Sequence, residues 1–178
     1  MRLVLLLLLL SVPQIVGSST YKPEYIVEIK DRYDSLFQFY GEKYGIDWNI
    51  LKAQARAESA LDSNAMSPVG AKGLTQFMDR TWQEWRDGTP GIQEIDINIA
   101  QLSPYDPEDA IKAQAAYMAW LHKQTGGELY HALMAYNWGI GNFNKWRKNP
   151  LGVPAETRDY VRRIYGFLNL EVPIILST

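Results

Sequence analysis

One glutamate lies where its carboxyl could act as an acid. Glu58 falls near the end of an alanine-rich helical stretch, and positions 55, 57, 60 and 61 around it are all Ala or Leu. Only Arg56 and Asp62 are close enough in sequence to pair with it. A carboxyl in an apolar niche favours its neutral form, because ionisation in a low dielectric is costly. The pattern is typical of a proton donor to a glycosidic oxygen, and the alternative is a solvated residue on a helix surface.

The segment that follows Glu58 is suited to close contact with a ligand. From Ser63 to Gly73 the chain is loop-like and rich in small residues. Gly70, Ala71 and Gly73 lack bulky side chains, so a ligand can approach the backbone there closely. The combination of an acid and a permissive loop is consistent with proton donation to a ligand held close to the backbone.

Ordinary glycosidases need a second carboxylate, and the sequence offers three candidates. Inverting enzymes place it about 6.5–9.5 Å from the acid, and retaining enzymes place it about 5–5.5 Å away. The candidates are Asp62, Asp79 and Glu156. Asp62 is a helical neighbour of Glu58, but we interpret it as marking the end of that helix. The sequence alone leaves the second carboxylate open.

Four segments resemble, in order and spacing, the lysozyme-like lytic transglycosylases of the soluble, Slt type. They are "ES" at 58–59, "SPVGAKGLTQFM" from 67, "MAYNWG" from 134 and "ETRDYV" from 156. The stretch "DPEDAIKAQAAYMAWL" is also similar to the family's sequence between its second and third motifs, and the likeness covers about residues 40–166. The resemblance implies a peptidoglycan lytic transglycosylase. Such enzymes cleave the β-1,4 bond between N-acetylmuramic acid and N-acetylglucosamine and leave a 1,6-anhydro ring.

The same resemblance assigns roles to individual residues. Glu58 matches the single catalytic acid and base, and Ser67 matches a serine that hydrogen-bonds near it. The other matched positions are expected to surround the substrate or the carboxylate: Gln76, Met78, Tyr136, Asn137, Glu156 and Tyr160. Of these, Gln76 and Met78 match residues that line the groove. Tyr136 matches a tyrosine beside the catalytic carboxylate, and Glu156 and Tyr160 match residues that contact the sugar. Two positions depart from the family pattern: Thr75 replaces a common Met, and Asp79 replaces a common Pro.

The implied mechanism needs one carboxyl group and neither a metal nor a cofactor. Glu58 would protonate the leaving oxygen, and its carboxylate would then accept a proton from the muramoyl 6-hydroxyl as that oxygen attacks the anomeric carbon. The attack is intramolecular, so it begins with the high effective concentration of a positioned group.

Composition bounds the remaining possibilities. The 178 residues predict one domain, and a hydrophobic content of 47% supplies a packed core. A formal net charge of −2 argues against a nucleic-acid partner, which usually faces a basic excess. The absence of Cys excludes disulfides, thiolate metal sites and a cysteine nucleophile, and two His are too few for an ordinary metal cluster.

The first residues have the pattern of an export signal. Arg2 precedes an unbroken apolar run from Leu3 to Leu10, and small residues follow Pro13. The sequence therefore predicts a signal peptide over residues 1–17 and one lysozyme-like transglycosylase domain over residues 18–178. The alternative is an uncleaved leader that anchors the chain to a membrane. We expect an exported protein that faces the periplasm or cell wall, or else a virion-associated one.

The elements that must position these residues are mainly helices. One helical face extends to Tyr44 and ends at Gly45, and Asp47 is expected to cap the next helix, which carries Glu58. Asp106 is expected to cap a long helix that ends at Gly126, and a further helix ends at Gly139. Further helices are predicted at about 81–85 and 155–169, with one or two helical turns in "GNFNKWRKN". The prediction is a mainly α, single helical domain with a loop-rich central lobe.

Two other functions stay open at this stage. One is a goose-type lysozyme or chitinase-like hydrolase, which would need a water-activating carboxylate. The other is a catalytically silent glycan-binding component of a secretion apparatus or phage particle. The expected partner is the peptidoglycan glycan strand, and the expected state is a monomer.

Overall fold

The computed structural model describes residues 31–86, 102–150 and 152–176. These ranges contain seven α-helices, a short 3-10 helix and no extended strand. The helices are α1 (Asp34–Tyr44), α2 (Trp48–Ser59), α3 (Asp79–Arg86), α4 (Pro107–Thr125), α5 (Leu129–Trp138), α6 (Ile140–Lys148) and α7 (Ala155–Leu168), and the 3-10 helix is Ile174–Leu176. The predicted leader over residues 1–17 lies outside the described residues.

The ends of the helix that carries Glu58 follow from local chemistry. Gly45 ends α1 in the left-handed conformation, with φ 70°. Asp47 then begins α2, because its side chain accepts a hydrogen bond from the Asn49 N–H at 2.9 Å. Both of these predictions are confirmed.

The predicted ends of α4 are also confirmed. The Asp106 carboxylate accepts from the N–H groups of Glu108 and Asp109, at 2.9 and 3.1 Å. Pro107 occupies the first helical position, and Gly126 ends the helix with φ 96°. α6 is longer than predicted, at nine residues, because Phe143 and Trp146 give it a buried face.

The core of the domain surrounds α4. This helix packs against α1 and α5, while α2 packs against α1 and α7. Ten residues of α4 are buried, many of them alanines, which lets the neighbouring helices approach closely. The C-terminal tail docks on this core through Leu176, which is fully buried. In the described ranges, we find no helix with both the length and the apolar character needed to cross a membrane.

A loop between α2 and α3 forms the central lobe. It folds back on itself through isolated antiparallel bridges that join Lys72 to Met66 and to Phe77. Its apolar side chains Leu74 and Phe77 are buried in the core, so the loop is fixed against the helices. The lobe therefore has a defined position next to the end of α2.

Candidate active site

The end of α2 brings Glu58 to the loop. α2 ends at Ser59, and the next two residues, Ala60 and Leu61, have left-handed φ values of 56° and 68°. The Ser59 hydroxyl donates to the carbonyl oxygen of Leu74 at 2.8 Å. This bond attaches the last turn of the helix to the far side of the loop, so the two elements hold a fixed relation around Glu58.

Dehydration dominates the environment of the Glu58 carboxyl. The residue retains some exposed surface, but burial raises the pKa of its carboxyl from 4.5 to about 7. A hydrogen bond from the Tyr160 hydroxyl and the positive charge of Arg163 both act in the opposite direction. Arg163 is held in place because its guanidinium donates to the Ala57 carbonyl at 3.2 Å. The balance leaves a glutamate that is substantially protonated near neutral pH.

Two tyrosines lie close to this carboxyl. Burial and the negative charge of Glu58 raise the pKa values of both Tyr136 and Tyr160 well above the usual value. The Tyr136 hydroxyl donates to the carbonyl oxygen of Thr75 at 2.9 Å and so joins α5 to the loop. Tyr160, on α7, lies beside Glu58, and its hydroxyl favours the ionised form of that carboxyl. One tyrosine therefore fixes the loop, and the other contacts the acid.

Ser67 and Gln76 hydrogen-bond within the loop. The Ser67 hydroxyl oxygen accepts from the Ala71 N–H at 2.9 Å. The Gln76 amide donates to the carbonyl oxygens of Gly73 at 2.8 Å and Ala65 at 3.3 Å, and Gln76 has a left-handed φ of 52°. Both side chains thus stabilise the shape of the loop, and their expected roles toward Glu58 and the groove stay predictions.

The remaining predicted site residues differ in their exposure. Met78 is 43% exposed and Glu156 is exposed in the first turn of α7, so both side chains are accessible to a ligand. The Asn137 amide oxygen accepts from the Thr157 hydroxyl at 2.8 Å, which joins the end of α5 to α7. Tyr160 is buried and its hydroxyl accepts from Gln54 at 3.1 Å, so a sugar contact by this residue stays a prediction.

The candidate second carboxylates are engaged elsewhere or exposed. The Asp79 carboxylate lies 2.6 Å from the Lys72 amine. Asp62 accepts from the Asn64 N–H at 2.9 Å and stabilises the turn after α2, as the sequence suggested. Within the described ranges, the groups that shift the pKa of Glu58 include neither these two residues nor Glu156. The arrangement is therefore that of a single acid.

Three residues that the structure links to the surroundings of the acid were not predicted from the sequence. Gln54 and Gln114 are fully buried and lead by hydrogen bonds to Tyr160. Gln54 lies four residues before Glu58, so the helical repeat was a signal that it shares the same side of α2. Arg163 lies in the charged stretch "RDYVRR", and nothing local in the sequence indicates that it reaches the end of α2.

No metal centre is evident in the part of the chain that the structure describes. It contains no group of three His, Cys, Asp or Glu side chains arranged to hold an ion. The chemistry that this arrangement supports is proton transfer by one carboxyl group.

Comparisons with known proteins identify related domains. The family model "Transglycosylase SLT domain" matches residues 35–157. The chain is 29% identical over 153 residues to the soluble lytic murein transglycosylase of Escherichia coli K12, which covers 76% of this chain and only 22% of that protein. The chain thus spans about a fifth of the length of this curated relative.

Two solved structures share the fold. The 70 kDa soluble lytic transglycosylase from Escherichia coli superimposes with a TM-score of 0.62 at 29% identity, over 78% of this chain and 24% of that one. An inactive glutamate-to-glutamine mutant of the lytic transglycosylase Slt from Pseudomonas aeruginosa gives a TM-score of 0.62 at 26% identity, over 87% of this chain and 27% of that one. These similarities confirm the predicted mainly α, lysozyme-like fold.

Proposed function

This chain belongs to the transglycosylase SLT domain family, and from that premise we propose that it is a peptidoglycan lytic transglycosylase. It would cleave the β-1,4 bond between N-acetylmuramic acid and N-acetylglucosamine and leave a 1,6-anhydromuramoyl end. The observation that carries the proposal is the solitary Glu58 carboxyl, whose pKa is raised to about 7 mainly by burial. The glutamate-to-glutamine change that accompanies inactivity in the Pseudomonas relative supports an essential glutamate in this family.

In the first step, Glu58 acts as a general acid. Its proton passes to the glycosidic oxygen as the bond between that oxygen and the muramoyl anomeric carbon breaks. The positive charge that develops on the sugar ring is balanced by the new carboxylate. The Tyr160 hydroxyl and the Arg163 guanidinium stabilise that carboxylate, since both favour the ionised form of Glu58.

In the second step, the Glu58 carboxylate acts as a base. The muramoyl 6-hydroxyl oxygen forms a bond to the anomeric carbon, and its proton passes to Glu58. The acid is regenerated, no water is consumed, and one side chain serves both steps. The absence of another carboxylate among the described groups that shift the pKa of Glu58 favours this route over hydrolysis.

Product analysis separates this proposal from a hydrolase on the same fold. Purified sacculi are digested in isotopically labelled water, and the muropeptides are analysed by mass spectrometry. A lytic transglycosylase gives anhydro ends that are one water lighter than reducing ends and carry no labelled oxygen. Reducing ends that carry the label would contradict the proposal and restore the lysozyme or chitinase-like alternative. Binding to sacculi without soluble product would favour a silent glycan-binding component.

We expect activity to decrease as the pH rises through about 7. Glu58 must carry a proton to begin the reaction, and burial raises its pKa from 4.5 to about 7. The alkaline limb of kcat/KM against pH reports this pKa in the free enzyme. The measurement is the initial rate on a soluble glycan from pH 4 to pH 9. A limb near the ordinary pKa of glutamate, or a constant rate up to pH 9, would contradict a dehydrated acid.

We also propose that the protein is exported. Arg2, the apolar run from Leu3 to Leu10 and the small residues after Pro13 support a leader over residues 1–17. Export would bring the domain to its polymer substrate. Mass spectrometry of the protein from fractionated cells tests this: we expect a cell-envelope protein whose N-terminus follows residue 17. A cytoplasmic full-length chain would contradict it.

A further inference from the structure

A chain of buried hydrogen bonds leads from the domain interior to the acid. Gln114 on α4 and Gln54 on α2 are both fully buried. The Gln114 Nε2 lies 3.0 Å from the Leu51 carbonyl oxygen and 2.9 Å from the Gln54 Oε1. The Gln54 Nε2 lies 3.1 Å from the Tyr160 hydroxyl oxygen, and the interaction of that hydroxyl with Glu58 lowers the pKa of the carboxyl. This series of hydrogen bonds joins α4, α2 and α7 next to the Glu58 carboxyl.

The chemistry of the hydrogen-bonding groups determines which atom donates and which accepts at each step of this series. A carbonyl oxygen only accepts, so the Gln114 atom beside Leu51 must be the amide nitrogen. That nitrogen also donates to Gln54, which therefore presents its own oxygen to Gln114 and its nitrogen to Tyr160. An amide nitrogen only donates. The Tyr160 oxygen is thus an acceptor, and its one proton is left for Glu58.

We propose that Gln54 and Gln114 are positioning residues that hold the Tyr160 proton on Glu58 and so place the acidic proton on the other carboxyl oxygen. The carboxyl oxygen beside Tyr160 accepts a hydrogen bond whether Glu58 is ionised or neutral. A neutral Glu58 therefore carries its hydrogen on the oxygen that faces away from Tyr160. In the proposed transglycosylase function, on which this inference rests, that hydrogen is the one transferred to the sugar.

The glutamine pair is unfavourable for stability alone. The Gln114 Oε1 is buried and has no hydrogen-bond partner among the described residues. An unpaired buried acceptor destabilises a fold, whereas apolar side chains of similar volume would avoid that loss. The pair has its favourable effect at Gln54. The Gln54 amide donates to the Tyr160 oxygen, which polarises the phenol and strengthens the interaction of its O–H with Glu58.

A double-mutant cycle between Gln54 and Tyr160 tests the proposal. Gln54→Met keeps the side-chain length and removes the donor to Tyr160. We expect it to lower kcat about fivefold with little change in KM, because the weakened hydrogen bond acts on the acid and not on the substrate. In a Tyr160→Phe background the same substitution should have no further effect, because Gln54 acts only through the tyrosine. An equal loss in both backgrounds would overturn the proposal.

A second readout is independent of catalysis. Carbon-13 NMR of the Glu58 carboxyl gives its pKa directly, and Gln54→Met should raise that pKa in the wild-type background but not in Tyr160→Phe. An unmoved pKa in both would overturn the inference. A raised pKa in a protein that forms no anhydro product would leave the inference standing and refute the proposed function. The double variant Q54M/Q114M removes both buried amides. It is expected to raise the pKa of Glu58 in the same way, with an unchanged or higher melting temperature.

Discussion

Replacement of Glu58 by Gln should abolish the release of anhydro-muropeptides while the protein stays folded. Gln has nearly the same shape but cannot donate or accept a proton in either step, so we expect kcat to decrease by at least about a thousandfold. The assay is the mass-resolved release of muropeptides from purified sacculi. Glu42→Gln is a matched control, because Glu42 is an exposed residue of α1. Full activity in Glu58→Gln would remove the acid from its role.

The same substitution should also stabilise the protein at alkaline pH. The pKa of Glu58 is raised from 4.5 to about 7 by burial, so the folded state binds its proton more tightly than the unfolded state does. The wild-type free energy of unfolding therefore decreases as the pH rises from about 4.5 through 7, and the total loss is at most about 3 kcal/mol. The substituted glutamine side chain does not titrate, so the variant lacks this decrease and is the more stable protein above pH 7.

Urea unfolding at pH 5 and pH 8 measures this effect. The difference in the free energy of unfolding between Glu58→Gln and wild type should be larger at pH 8 than at pH 5. Glu42→Gln, the same substitution at an exposed position, is measured alongside as the matched control. A difference that is the same at both pH values would mean that the ionised carboxyl is well hydrated in the folded protein.

The helix ends were predictable because the interactions that determine them are local. Asp47 and Asp106 each accept from N–H groups two or three residues away, and Gly45 and Gly126 adopt the left-handed conformation that an ordinary side chain disfavours. Each signal lies within one helical turn. The full length of α6 was not predictable in this way, because Phe143 and Trp146 extend it through contacts with the core.

The contacts of the acid were only partly predictable. An apolar setting for Glu58 followed from its alanine neighbours, and the raised pKa agrees with it. The groups that act on that carboxyl come from an element far along the chain, because Tyr160 and Arg163 both lie on α7. Sequence patterns indicate which face of a helix is buried but not which side chain of another helix lies opposite. The arrangement of the hydrogen bonds therefore required the fold.

Replacement of Gly73 by Ala should destabilise the loop beside the acid severely. Gly73 has a left-handed φ of 68°, and a Cβ there would overlap the carbonyl oxygen of Pro104 and lie 2.7 Å from its carbonyl carbon. The backbone cannot move away easily, because the Gly73 N–H donates to Ala65 at 2.8 Å and its carbonyl accepts from Gln76 at 2.8 Å. We expect a loss of more than about 3 kcal/mol in the free energy of unfolding.

Gly70→Ala is the matched control, because it separates steric overlap from backbone strain. Gly70 also has a left-handed φ, of 90°, but a Cβ there would meet nothing within 4 Å. Its substitution should therefore cost only about 1–2 kcal/mol. Urea unfolding of the two variants measures the difference, and equal losses would contradict a tight contact between Gly73 and Pro104.

The Gly73 substitution should also lower the catalytic rate, even where the domain remains folded. The displaced loop carries Leu74 and Thr75, whose carbonyl oxygens accept from the hydroxyls of Ser59 and Tyr136 at 2.8 and 2.9 Å. Those two bonds attach the loop to the end of α2, next to Glu58, and to the end of α5. At a temperature where Gly73→Ala and Gly70→Ala are both folded, we therefore expect the first to lose most of its kcat and the second to retain it. Retention of full activity by Gly73→Ala would show that the loop does not position the acid.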